Sequence, residues 1–129
     1  MIKKLTSILF VKAIEPVLPF WIDCLGFQKT VEVPEGDRLG FVILQRGNIE
    51  LMYQTYDSVD KDMPQLSEAV RKHAGFLYLE VEDLEAIKRA VKDAEVYMTE
   101  RTTFYGAREI GVKDFGGHFI TFAQMGAQA

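Results

Sequence analysis

Leu9-Phe10-Val11-Lys12-Ala13-Ile14-Glu15 is matched 70 positions later by Leu79-Glu80-Val81-Glu82-Asp83-Leu84-Glu85. Leu9/Leu79, Val11/Val81 and Glu15/Glu85 are identical, and Ile14/Leu84 is conservative. Leu, Val and Glu are common residues, so the weight lies in what flanks the match. On both sides the chain reads as a strand, a turn, a helix and three further strands. The pattern is βαβββ, linker, βαβββ, an α+β arrangement.

In the first copy, about residues 4–55, Leu5–Val11 is apolar and β-prone. A helix is predicted from near Pro16 to just before Gly26. Pro16 suits its first position and Gly26 its stop, while Pro19 should distort the first intrahelical bond. Val17, Phe20, Trp21, Cys24 and Leu25 fall at helical spacing and are expected to pack on a sheet, which makes Cys24 a buried structural thiol. Strands follow at Phe27–Val33, Leu39–Gln45 and Asn48–Gln54, separated by Pro34-Glu35-Gly36-Asp37 and Arg46-Gly47. Residues 56–73 read as a polar linker, in which Pro64 opens a short helix with Leu66, Ala69 and Val70 on one face. The second copy, about 74–125, has strands at Phe76–Val81, Glu95–Thr102, Ala107–Lys113 and His118–Gln124. Asp83 caps a helix running to about Asp93, and residues 126–129 are expected to be a loose tail.

One face of each four-stranded sheet is covered by its helix. The other is curved and open, and two such faces can share a cleft, where a ligand is expected. Strand alternation assigns Leu5, Leu9, Val11, Leu77, Leu79, Ile120 and Phe122 to the helix side. The cleft side then carries Thr6, Ile8, Phe10, Asn48, Glu50, Met52, Gln54, Phe76, Tyr78, Glu80, Phe119, Thr121 and Ala123.

The composition narrows the function classes. The chain has 129 residues, 48% of them hydrophobic and 26% charged, which suits one globular domain with an ample core. A single cysteine excludes an intrachain disulfide framework and fits the cytoplasm. A net charge of −4 without a basic stripe argues against a nucleic-acid partner. No apolar run reaches membrane-spanning length, and Lys12 and Glu15 interrupt what would be a signal-peptide core. Nucleophile-elbow, P-loop and dinucleotide-binding signatures are lacking.

Three strings carry a family likeness: Phe20-Trp21-Ile22-Asp23-Cys24-Leu25-Gly26-Phe27, Gly47-Asn48-Ile49-Glu50-Leu51-Met52, and the hairpin from Gly106-Ala107-Arg108-Glu109 through Asp114-Phe115-Gly116-Gly117-His118-Phe119-Ile120. In this order, on a duplicated βαβββ pattern, they resemble the vicinal oxygen chelate superfamily of glyoxalase I, extradiol dioxygenases and bleomycin-resistance proteins. The resemblance spans about Lys4 to Gln124. Lys4-Leu5-Thr6-Ser7 and the run from Leu25-Gly26-Phe27 to Val33 look most like the bleomycin-resistance branch.

The resemblance implies metal ligands on the first and fourth strands of each copy in metal-dependent members. Carried over, those positions are Thr6, Glu50, Phe76 and Thr121. Only Glu50 is an ordinary ligand, and transition metals need several imidazole or carboxylate donors. His73 and His118 each lie three residues before such a position, an odd offset that turns a strand residue to the opposite face. Both read as exposed loop histidines. No metal and no other cofactor is expected.

What remains is an aromatic cleft with acids in it. Two readings stand for Glu50: a ligand-anchoring anion, or a relic paired with Arg108 or bonded to a threonine. Arg108 reads either as a structural ion pair or as a cleft brace that binds a ligand carboxylate. Phe104 and Tyr105 suggest a lid or a dimer contact. The expected ligand set is Phe10, Glu50, Phe76, Tyr78, Tyr105, Arg108, Phe119 and Thr121. Aromatic rings with carboxylates favour a planar cationic small molecule. The resemblance implies drug sequestration, antibiotic resistance and a homodimer. The competing readings are a glyoxalase- or dioxygenase-like lyase or isomerase with Glu50 as its base, and an interaction domain whose cleft is filled by its own side chains.

Overall fold

A computed structural model describes residues 1–126. The chain divides into two compact units, Met1–Ala74 and the part from Gly75 onward. Each carries one mixed four-stranded sheet, so the fold is α+β with two βαβββ modules and no closed barrel.

In the first unit β1 (Ser7–Val11), β2 (Gln28–Glu35), β3 (Arg38–Arg46) and β4 (Ile49–Thr55) pair in the order β1-β4-β3-β2. β1 runs parallel to β4, with Ile8 opposite Met52 and Phe10 opposite Gln54. The segment expected to be one α-helix is instead a 3-10 turn, Glu15–Val17, followed by a π-helix, Pro19–Cys24. Pro16 and Pro19 each lack an amide proton, so regular α bonding cannot start there. The wider π turn breaks the 3.6-residue spacing that grouped Cys24 with Val17, Phe20 and Trp21. Cys24 is therefore exposed, which overturns its reading as a buried thiol. Trp21 is completely buried, packs edge-on against Phe20 and Phe27, and donates its indole proton to the Tyr53 hydroxyl at 2.8 Å. Gly26, at φ +76°, ends the segment.

Residues 56–73, read as a linker, fold onto the first unit as α1 (Tyr56–Asp62), a 3-10 turn (Pro64–Leu66) and α2 (Ser67–Lys72). Thr55 caps α1 by accepting the Ser58 amide, and Val59 and Val70 are buried. Leu5, assigned to the helix side, precedes β1 and is exposed.

In the second unit β5 (Phe76–Glu80), β6 (Glu95–Thr102), β7 (Arg108–Lys113) and β8 (Phe119–Gln124) repeat the topology as β5-β8-β7-β6. The helix is α3 (Leu84–Ala90), shorter than expected, and Asp83 caps it by accepting the Ala86 amide at 3.2 Å. Leu84, Val91, Ile110, Val112, Ile120 and Phe122 are buried on the helix side, while Leu77 and Leu79 are half-buried. His118 is not the exposed loop residue the sequence suggested. It is buried, and its Nδ1 accepts the Gly75 amide at 2.7 Å, which ties the start of β5 to the start of β8. His73 is exposed, as expected.

Candidate functional site

The face of the second sheet opposite α3 is built in three rungs. The parallel β5–β8 register sets Phe76 opposite Phe119, Tyr78 opposite Thr121 and Glu80 opposite Ala123. The antiparallel β7–β8 register extends these rungs to Lys113, Gly111 and Glu109. Arg101 of β6 stands opposite Glu109. Alternation puts all of these residues on one face.

The first rung is apolar at one end and basic at the other. Phe76 and Phe119 stack with centroids 5.0 Å apart and planes 9° off parallel, and Phe76 is 75% exposed. Lys113 Nζ lies 5.2 Å from the Phe119 centroid and 3.7 Å from Glu95. On the second rung Gly111 has no side chain, and the ring of Tyr97 occupies that space: a Cβ there would lie 2.4 Å from it. Tyr97 meets Phe119 edge-on and shares a 2.5 Å hydrogen bond with Thr121 Oγ1.

The third rung holds the residue that sequence reasoning missed. Glu109 is 1% exposed. Its Oε1 accepts from Arg101 Nε at 3.0 Å and pairs with Arg101 Nη2 at 3.0 Å. Its Oε2 accepts the Tyr78 hydroxyl and, at 3.0 Å, the Tyr105 hydroxyl. Burial pushes the Glu109 carboxyl upward, but the bonds from Tyr78, Arg101 and Tyr105 together outweigh it and hold the group below its ordinary value. The Glu109 bond, helped by Tyr105 and by burial, pushes the Tyr78 phenol well above its ordinary range. Tyr105 is positioned by a tight turn in which Thr103 and Ala107 bond to each other and Gly106 adopts φ +87°. Phe104, beside it, is fully exposed and edge-on to Tyr105.

Arg108 lies on the other side of the sheet. Its register partner Gln124 accepts the Leu84 amide at the start of α3, and Arg108 itself pairs with Glu100 at 2.9 Å and Glu85 at 3.2 Å. It braces β6 and α3, so its reading as a ligand contact on the open face is corrected. Counting by twos from Gly111 along β7 would have selected Glu109 and passed over Arg108.

Of the remaining expected ligand set, Phe76, Tyr78, Tyr105, Phe119 and Thr121 come together on this face. Phe10 and Glu50 belong to the first unit, whose open face mixes two phenylalanines with aliphatic and amide side chains: Phe10–Gln54–Phe41, Ile8–Met52–Ile43, and Glu50 opposite Gln45. Glu50 receives the Thr6 hydroxyl at 3.3 Å and is paired with Lys4 at 2.9 Å. It is bonded to a threonine, as one reading allowed, but its cation is Lys4.

The four positions implied for metal ligands fall two in each unit. Thr6 and Glu50 meet, but Lys4 already satisfies the carboxylate, and Phe76 brings a ring rather than a donor. Among the described residues, no three His, Cys, Asp or Glu side chains cluster to hold an ion. No helix among them is long and apolar enough to cross a membrane.

The sequence matches the Glyoxalase/Bleomycin resistance protein/Dioxygenase superfamily over residues 3–122. Curated proteins give no match. Similar solved structures include TioX from Micromonospora sp. ML1 (17% identity, TM-score 0.75, 95% of this chain and 98% of that one). Lactoylglutathione lyase from Agrobacterium tumefaciens is also similar (12%, 0.75, 95% and 92%), as is a family enzyme from Burkholderia phytofirmans PsJN (16%, 0.75, 93% and 96%). At these identities the likeness is one of fold. Together with the sequence match over nearly its whole length, the duplicated βαβββ topology shows that the chain belongs to the glyoxalase/bleomycin resistance protein/dioxygenase superfamily.

Proposed function

We propose that this protein binds a planar, cationic small molecule without a metal or other cofactor, in the manner of the bleomycin-resistance branch. The carrying observation is the open face of the second unit. It exposes the Phe76 ring stacked on Phe119, and it presents Glu80 as a carboxylate with no partner among the described residues. An exposed ring favours stacking, a nearby uncompensated carboxylate favours positive charge, and cation–π contact adds roughly 0.5–2 kcal/mol. Sequestration of a cationic antibiotic or metabolite in the cytoplasm by a homodimer is the biological form of this proposal. It needs neither nucleic acid nor membrane.

Calorimetry against metal-free bleomycin and related cationic glycopeptides tests it. Saturable heat that is lost in Phe76→Ala supports the reading. No heat, together with no protection of cells expressing the protein, sinks the drug version. Metal analysis of the same preparation addresses the enzymatic alternative. Stoichiometric nickel, zinc or iron that disappears in Glu50→Gln would replace this proposal with a lyase or isomerase working at Glu50.

A further inference from the structure

The hydrogen bonds around Glu109 leave two oxygen atoms with acceptor capacity to spare. A phenol has one proton. Tyr78 and Tyr105 both direct theirs to Glu109 Oε2. The two phenol oxygens lie 3.3 Å apart, within reach of a shared hydrogen bond, and with two lone pairs on each oxygen at least one acceptor position per phenol is still free. No other described group donates to either oxygen, and both tyrosines are about half exposed. The Glu109 bond pushes the Tyr78 phenol upward, which favours its protonated, donating form.

The surroundings set the charge of a donor that could sit there. Glu80 is two residues from Tyr78 on the same strand and face, and it has no partner among the described residues. Lys113 stands at the other end of the face, above Phe119. Lys113 is paired with Glu95 and Arg101 with Glu109, so Glu80 is the charge left over on this face, and a cation is drawn to the tyrosine end. Phe76 lies two residues from Tyr78 on the same face, roughly 7 Å along the strand.

We propose that the hydroxyl oxygens of Tyr78 and Tyr105, held by Glu109 and flanked by Glu80, form an acceptor pair for planar N–H-donating cations carried on an aromatic ring. Amidinium and guanidinium groups are this class, because their fork offers two N–H groups in one plane. A quaternary ammonium has the charge but no proton to give. The inference rests on the reading of this face as a ligand site.

Calorimetry of the full chain with benzamidine and with phenyltrimethylammonium separates the two claims, since both probes carry one ring and one positive charge. Benzamidine is expected to bind at least tenfold tighter. Tyr78→Phe and Tyr105→Phe are each expected to weaken benzamidine roughly tenfold, the scale of one charge-assisted hydrogen bond. Each should change phenyltrimethylammonium less than twofold. Each variant removes one donor from Glu109 while Arg101 and the other tyrosine still hold it, and melting curves check that the fold is kept. Equal affinity for the two probes, with benzamidine unmoved in either variant, overturns the acceptor pair and leaves the aromatic ligand face standing. No binding of either probe overturns both.

Discussion

The first sheet buries most of its large aromatic side chains under its helical segment, whereas the second shows several to solvent. Trp21, Tyr53, Phe20 and Phe27 form the buried side of sheet β1-β4-β3-β2, and its open face carries Ile8, Met52, Ile43 and Gln54 with two half-buried rings, Phe10 and Phe41. Sheet β5-β8-β7-β6 reverses this. Its buried side is mostly aliphatic, and Phe76, Tyr78, Tyr97 and Tyr105 are exposed on the other. The backbone plan is the same in both units, so the plan does not decide which face is chemically special. Desolvating a ring stabilises a core, and leaving one exposed forgoes that gain. An aromatic face that is not part of the core is a face available to a ligand.

The largest expected effect breaks the comparison on its buried side. Trp21→Ala removes a fully buried ring and leaves the Tyr53 hydroxyl without its donor, and it should cost about 3–5 kcal/mol in urea unfolding. Phe76→Ala removes a ring of similar kind from the second sheet and should stay within about 0.5 kcal/mol, while weakening ligand binding. A large stability loss from Phe76→Ala would mean that the exposed face is a core surface after all.

An intermediate effect concerns the two acids, Glu50 and Glu109, of which the second is the more deeply buried. Glu109→Gln should cost roughly 1–3 kcal/mol at neutral pH, because a charged acceptor of several hydrogen bonds is lost. The folded protein holds the Glu109 carboxyl below its ordinary value of 4.5. The unfolded chain therefore takes up a proton first as the pH falls. The stabilisation is fully present above the unfolded value and is lost as the pH drops through the folded one. Melting temperatures of wild type and Glu109→Gln should thus differ most near neutrality and converge in acid. Curves that stay parallel to below pH 4.5 would mean that the ionised carboxylate is not what stabilises the fold.

Much of this was legible in the sequence, for identifiable reasons. Alternation along β1, β4, β5 and β8 put Phe10, Glu50, Tyr78 and Thr121 on their correct faces, because the side-chain period of a strand is geometric. The duplicated pattern likewise foretold a four-stranded unit in each half of the chain. What failed depended on hydrogen bonds that leave no periodic trace. Cys24 was misplaced because two prolines change the pitch of its segment. His118 looked like a loop residue because its partner, the Gly75 amide, is 43 positions away. Glu109 was overlooked because its neighbour Arg108 carries the more conspicuous charge, although one step of parity separates the open face from the helix face.

The smallest effect sharpens the comparison on the helical side. Neither the 3-10 turn nor the π-helix of the first unit has a side-chain cap, and both begin next to a proline. Their conformation is fixed by what they pack against, chiefly Trp21 on Tyr53. α3 has seven residues and begins on the Asp83 cap. A helix that short is marginal by itself, so its first turn depends on the capping bond. Asp83→Ala should cost about 1 kcal/mol, and the loss should be local. Amide exchange is expected to quicken within Leu84–Ala90 and to stay unchanged over Phe20–Cys24. Equal quickening in both segments would show that the two helical elements open together, and the contrast between a packed segment and a capped one would then fail.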